Sequence, residues 1–239
     1  WPPELHSFQV IWFGLHTPPT TIAFPDLFFL PGIIPGRYTP PRRVYAAGLD
    51  RLGVAESRDW LQTWHTMFTQ HRTRLGKQRI FLFPGAGHRA KCWPLLKYLD
   101  IATWLDNQGF EPVFVLGPAE VERRMEVQNF QLLHPMDLWQ LQDALLGADM
   151  VIGNDSGPMH LAGFLNRPGL SLFGPAAVKQ WGPIGLTCLQ TEAPCSPCTQ
   201  TGQIPCSHPM CMDQISTATV KEALLSRFQR SGEKWDQKV

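Results

Sequence analysis

From Gln78 onward, short apolar runs alternate with segments whose apolar residues recur at helical spacing. Arg79-Ile80-Phe81-Leu82-Phe83, Glu111 to Leu116, Phe130 to Leu133, Met150-Val151-Ile152 and Gly169 to Phe173 read as strands of the kind buried on both faces in parallel sheets. Between them, Trp93 to Gln108 and Pro135 to Leu146 read as helices. Gly109 closes the first, and Leu138, Leu141 and Leu145 mark one face of the second. A last helix runs from about Ile215 to Phe228, with Val220, Leu224 and Phe228 on one face. Strands and helices alternating at this pace predict βαβ crossovers, and hence a doubly wound parallel sheet over roughly 76–190.

The pattern is different upstream. Residues 1 to about 45 are rich in proline and aromatics; Phe8 to Phe13 fits helix or strand, and Thr20 to Phe24 a short strand. Arg42 to about Arg74 reads as helical, broken at Gly53, with Trp60, Leu61, Trp64, Met67 and Phe68 forming a core or docking face. His65 and His71 read as surface histidines. The expected division is 1–75 as the remnant of an N-terminal domain with a linker, and 76–239 as a C-terminal domain.

Ligands of doubly wound sheets bind beyond the C-terminal ends of the strands, and three such ends carry candidate chemistry. The first holds Gly85, Gly87, His88 and Lys91: glycines admit a ligand close to the backbone, and lysine offers a point charge for phosphate. Its spacing is neither that of a P-loop nor that of a dinucleotide fingerprint. The second holds Glu120, able to accept from ribose hydroxyls or simply to favour a helix start. The third is the turn Asn154-Asp155-Ser156-Gly157-Pro158-Met159-His160. There Asp155 or Ser156 can cap a helix, Pro158 suits its first turn, and His160 can donate to a phosphate or sugar hydroxyl. The bland alternative is caps and a surface histidine. A lysine, a carboxylate and a helix N-terminus on one edge fit a nucleotide-diphosphate site better.

Composition narrows the classes. The chain has 239 residues, a net charge of +1 and six cysteines. That charge gives no electrostatic case for nucleic acid or an anionic membrane. No apolar run approaches the roughly 18 residues of a spanning helix, and no signal-peptide pattern is present. The opening Trp1-Pro2-Pro3, without methionine, reads as mid-protein. Cys195, Cys198, Cys206 and Cys211 match a tetrahedral zinc site in ligand number; two disulfides or four reduced thiols are the alternatives. Clustered thiols in a chain this long favour a reducing compartment. Cys92 and Cys188 read as core residues.

These motifs resemble glycosyltransferase family 9, the ADP-heptose:lipopolysaccharide heptosyltransferases. The resemblance rests on Asn154 to Ala162 with Leu172-Phe173-Gly174-Pro175, on Phe83-Pro84-Gly85-Ala86 with Lys91 to Pro94, and on Gly117-Pro118-Ala119-Glu120. Trp181 to Gly185 and the cysteine-bearing tail, similar to the heptosyltransferase II branch, add to it. It covers about 78–230.

The resemblance implies an α/β fold of GT-B type: a Rossmann-like doubly wound parallel sheet in the C-terminal domain, with an incomplete N-terminal domain. It implies transfer of heptose from ADP-heptose, or another nucleotide-sugar, to the inner core of lipopolysaccharide, inverting and without a required cofactor. By the same resemblance Gly85 belongs to the donor site, Lys91 meets the diphosphate and Glu120 the ribose or base side. Asp155 binds heptose hydroxyls, and Ser156, Gly157 and His160 serve the phosphates. The chain is expected in the cytoplasm, at most peripheral to the inner membrane. The family's catalytic base is an aspartate early in the N-terminal domain, in a glycine-rich strand-to-helix region. Nothing here matches that region; Asp26 and Asp50 sit in other contexts, so the catalytic residue is unknown and donor binding without transfer is the alternative.

Overall fold

The computed structural model describes residues 10–14, 27–51, 53–54, 59–68, 76–200, 204, 206 and 209–230. The chain divides into two compact units: Trp1–Arg58 with Lys179–Trp181, and Asp59–Val178 with Gly182–Val239. In the first, β1 (Val10–Gly14) and β2 (Leu27–Pro31) pair in parallel, with Val10 opposite Leu27. Helix α1 (Pro41–Arg51) follows, and Gly53 adopts φ +77° just past its end, the conformation expected of a terminating glycine. The expected strand Thr20 to Phe24, and His71, lie outside the described residues.

The second unit opens with α2 (Trp60–Phe68). Then come β3 (Arg79–Phe83), a single 3-10 turn (Arg89–Lys91), α3 (Leu95–Asn107), β4 (Glu111–Val115), α4 (Pro118–Glu122) and β5 (Gln131–Leu133). Next are α5 (Leu138–Leu146), β6 (Met150–Asn154), α6 (Gly157–Phe164), β7 (Gly169–Phe173) and α7 (Val178–Trp181), of which all but Val178 belongs to the first unit. The chain continues through β8 (Thr187–Gln190), α8 (Met210–Asp213) and α9 (Thr217–Arg230).

All six strands β3–β8 are parallel, in the order β5-β4-β3-β6-β7-β8. The doubly wound α/β sheet expected from the alternating pattern is therefore present. Ile80 to Phe83 in β3, and every residue of β6 and β7, are buried. Their side chains alternate between two cores. Ile80, Leu82, Phe114, Ile152 and Leu172 pack with Tyr98, Ile101 and Leu105 of α3 and with Val220, Leu224 and Phe228 of α9. Phe81, Phe83, Val113 and Val151 pack with Leu145 of α5 and with Met159 and Ala162 of α6. Each such buried side chain contributes about 1.5–3 kcal/mol of hydrophobic stabilisation.

Local chemistry shifts some expected boundaries. Helix α5 starts at Leu138, not Pro135, because Asp137 is its N-cap and accepts from the Gln140 N–H at 2.8 Å. Leu145 is fully buried, but Leu138 is 65% exposed. His65 is half-buried rather than a surface residue, because its Nε2 bonds the Gly163 carbonyl of α6 at 3.2 Å. Cys92 and Cys188 are half-buried; burial pushes both thiols up, Cys188 to about 11.

Candidate functional site

Successive crossovers run from β3 to β4 and β5 on one side, and from β6 to β7 and β8 on the other. The winding thus reverses between β3 and β6, and the crevice outside the C-terminal ends of those two strands is where a doubly wound sheet takes a ligand. Asn154, fully buried at the end of β6, ties that crevice together. Its Nδ2 donates to the carbonyls of Pro84 at 2.8 Å and Gly85 at 3.2 Å. Its Oδ1 accepts from the Trp93 N–H at 3.0 Å and the Tyr98 hydroxyl at 3.1 Å. One amide side chain therefore fixes the loop after β3 against the end of β6, and buried polar groups in such a network leave little freedom when all are paired.

A cavity of about 380 Å³ opens at this edge, lined by Gly85, Gly87, Glu120, Ser156 and Gly157, with Val115, Pro135, Met136 and Leu141 among its apolar walls. That size and mixture suit a small organic ligand. Glu120 is held by a capping-box bond from the Gly117 N–H to its Oε2 at 3.1 Å, while Oε1 lies 3.9 Å from Nη1 of Arg123. Position 85 must be glycine for this arrangement, because a Cβ there would overlap the Glu120 carboxylate.

Beside the cavity, Lys91 Nζ donates to Asp155 Oδ2 at 2.6 Å, in an ion pair whose side chains are only 20% and 8% exposed. A charge-assisted bond this short is among the stronger polar contacts a protein makes. The Asp155 carboxylate is thus turned to Lys91 and does not cap α6. Ser156 occupies the N-cap position instead, and its Oγ is buried without a hydrogen-bond partner. Pro158 has no N–H, and the Met159 and His160 N–H groups donate to the Ser156 carbonyl at 3.1 and 3.5 Å, so the Gly157 N–H is the one that offers the positive end of the α6 dipole to a ligand. His160, in the first turn, is partly buried. Burial lowers its pKa, and so does Lys91, while Asp155 acts in the opposite sense; near pH 7 it is a neutral imidazole able to donate one N–H.

The structure therefore places Gly85, Glu120, Ser156 and Gly157 around one cavity, and puts Lys91, Asp155 and His160 together next to it. His88, exposed, caps the 3-10 turn by accepting the Ala90 N–H at Nδ1, 3.1 Å away. Sequence reasoning treats Asn154 as turn chemistry and passes over Tyr98 and the walls Pro135 and Met136. An asparagine directly continuing a fully apolar strand is the signal that it is buried and hydrogen-bonded rather than turning in solvent.

The cysteines behave differently from the rest. Cys211 is drawn into the core, with its sulfur next to Gly174, whereas Cys195, Cys198 and Cys206 are exposed. Burial, and then the neighbouring Cys206 and Cys195 thiols, push the Cys198 thiol up. Among the described residues, no three His, Cys, Asp or Glu side chains stand where they could hold a metal ion. The zinc expectation thus meets no preassembled ligand set there.

The model of glycosyltransferase family 9 (heptosyltransferase) matches residues 50–207, which span the whole crevice. The chain belongs to glycosyltransferase family 9. Among this family's curated members, it is similar to lipooligosaccharide heptosyltransferase 2 of Haemophilus influenzae, 32% identical over 130 residues that make up 49% of this chain and 37% of that protein. The corresponding Campylobacter jejuni enzyme (serotype O:2) is 28% identical over 162 residues, 62% of this chain and 50% of that one. The chain thus spans between about a third and a half of the length of these relatives. Among solved structures, E. coli ADP-heptose lipopolysaccharide heptosyltransferase II aligns with TM-score 0.52 and 21% identity over 75% of this chain and 54% of that chain. E. coli heptosyltransferase WaaC with ADP aligns with TM-score 0.58 and 18% identity over 85% and 60%. Those likenesses carry the family 9 fold, a GT-B architecture of which this chain shows the doubly wound sheet.

Proposed function

We propose that this chain binds an ADP-sugar, ADP-heptose in the first instance, and serves the transfer of its heptose to the inner core of lipopolysaccharide. The observation that carries the reading is the juxtaposition, at the crevice between β3 and β6, of a largely apolar cavity with a lysine, an aspartate and the N-terminus of α6. The apolar walls suit the nucleobase and Glu120 the ribose hydroxyls. Lys91, the Gly157 N–H at the start of α6 and the His160 imidazole suit the diphosphate, and Asp155 the hydroxyls of the sugar. On this reading the reaction is a direct displacement with inversion. The charge that grows on the departing diphosphate is met by Lys91, the helix dipole and the imidazole N–H, without calling on a cation or cofactor.

A second reading, donor binding without transfer by this chain alone, is supported by one observation. The carboxylate assigned to the sugar, Asp155, is engaged by Lys91 and so is not free to take the acceptor's proton. No described helix is long and apolar enough to cross a membrane, and we place the chain in the cytoplasm, at most peripheral to the inner membrane.

Calorimetric titration with ADP and ADP-heptose tests the site. Both ligands are expected to bind the wild type, and Asp155→Ala is expected to lose the extra affinity due to the sugar. Absence of ADP binding would sink the reading. Turnover of ADP-heptose with a heptose-acceptor core oligosaccharide separates transfer from binding alone.

A further inference from the structure

The two charged groups assigned to opposite halves of the donor are bound to each other. We propose that the Lys91–Asp155 ion pair is an exchange latch, opened by the donor's diphosphate, so that the sugar-recognising carboxylate becomes available only once the diphosphate is seated. The inference rests on the donor-site reading above and adds to it an order of engagement.

The geometry favours exchange over a fixed brace. The contact is short, 2.6 Å, yet Lys91, in the 3-10 turn that follows β3, keeps 20% of its side chain exposed. Asp155 is anchored through its own backbone N–H, which donates to the Leu172 carbonyl at 3.0 Å, so its position does not depend on Lys91. It directly precedes Ser156, which lines the cavity at the N-cap of α6. A dianionic diphosphate placed there competes with one carboxylate for one ammonium and also draws on the helix N-terminus, which Asp155 does not use. Once Lys91 moves to the phosphate, the buried Asp155 carboxylate loses its counter-charge. A buried carboxylate left unpaired is costly, and hydroxyl donors from a sugar relieve that cost. Sugar and diphosphate thereby support one another. A free sugar, which carries no phosphate to draw Lys91 away, finds the carboxylate already occupied.

The latch makes a prediction opposite in sign to that of a purely supportive aspartate. The affinity of a ligand for a site that is only partly in its competent state falls by the populated fraction. Releasing Lys91 with Asp155→Asn is therefore expected to tighten ADP and inorganic pyrophosphate by about tenfold, while removing the additional affinity for ADP-heptose. Calorimetry on the full chain, as wild type, Asp155→Asn, Lys91→Met and the double variant, tests this, with thermal unfolding recorded on each. Lys91→Met is expected to weaken ADP, and the double variant to match Lys91→Met.

If Asp155→Asn folds and binds ADP no more tightly than wild type, the latch is wrong while the donor site stands. If the gain persists in the Lys91→Met background, it comes from lost repulsion alone, and the latch again falls. If neither wild type nor Asp155→Asn binds ADP, the donor reading fails and takes the latch with it. Should Asp155→Asn not fold, a crystal structure of wild type with ADP decides. Separation of Lys91 Nζ from Asp155 Oδ2 beyond about 4 Å, the outer limit of an ion pair, is expected, and an unchanged contact would overturn the proposal.

Discussion

The turn after β6 and the stretch from Cys195 to Cys211 both stand out as chains of reactive residue types, and the fold treats them in opposite ways. At the β6 turn, a single buried asparagine pairs with two loop carbonyls, a backbone N–H and a tyrosine hydroxyl, and the residues that follow line a cavity. In the cysteine stretch the backbone is also pinned, with the Cys198 and Thr199 N–H groups both donating to the Pro175 carbonyl at 2.9 and 3.1 Å. Yet three of its four thiols face solvent and the fourth is packed into the core. The contrast teaches that a pinned backbone does not make a site. Side chains must also be aimed at a common point, as the sheet's reversal of winding aims those at the β6 turn.

The sharpest way to break this contrast is Asn154→Ala. It leaves two carbonyls and an N–H without their partner, while the Tyr98 hydroxyl keeps the Phe83 carbonyl at 3.2 Å, and the cost is expected at roughly 3–5 kcal/mol, measured by urea unfolding, with ADP binding lost. A loss below about 1 kcal/mol would show that the network is not what holds the crevice. Next comes Gly85→Ala. Because the new Cβ meets the far end of a mobile side chain, Glu120 is expected to swing aside. Stability should then change by less than about 1 kcal/mol, while ADP affinity drops about tenfold, equivalent to about 1.4 kcal/mol. Gly87→Ala, with open space at the Cβ position and an ordinary backbone, should leave stability unchanged and is the control for that part of the measurement.

A smaller effect is expected from His160. Its folded pKa is lowered, chiefly by burial, so the unfolded chain binds the proton more readily. The penalty on stability is absent above the unfolded value of about 6.5 and grows as pH falls through it. The unfolding midpoint of wild type should fall more steeply between about pH 7 and 5 than that of His160→Gln, and parallel curves would count against a neutral, desolvated imidazole. Least of all, Cys195→Ser with Cys198→Ser should change stability by less than about 0.5 kcal/mol. A loss on the scale of Asn154→Ala, or a sensitivity to chelator that the double variant abolishes, would mean that these thiols do converge on something.

Much of this was legible beforehand, for a physical reason that also marks where legibility stops. β3, β4, β6 and β7 are buried on both faces, so their runs are mainly apolar, with Ser171 the polar interruption in β7, and hydrophobic pattern alone locates them to within a residue or two. β8 is a short edge strand of only partly buried or exposed residues, Thr187–Gln190, and its mixed composition carries no such run. Among the site residues, Gly85, Glu120, Ser156 and Gly157 share one cavity because strand ends in a parallel sheet share one edge, which topology predicts. What pattern could not supply was pairing. Nothing in the spacing of Lys91 and Asp155 says that they are bonded to each other, and nothing local to Asn154 says that its partners lie 56 to 70 residues away.

Helix α6 has eight residues and is therefore about 12 Å long. One end meets the cavity, and the other carries the Gly163 carbonyl, which accepts from His65 on α2. A rod that short does not bend, so both ends swing together. The bond from His65 therefore braces, from its far end, the same rod whose near end presents Ser156 and Gly157 to the cavity.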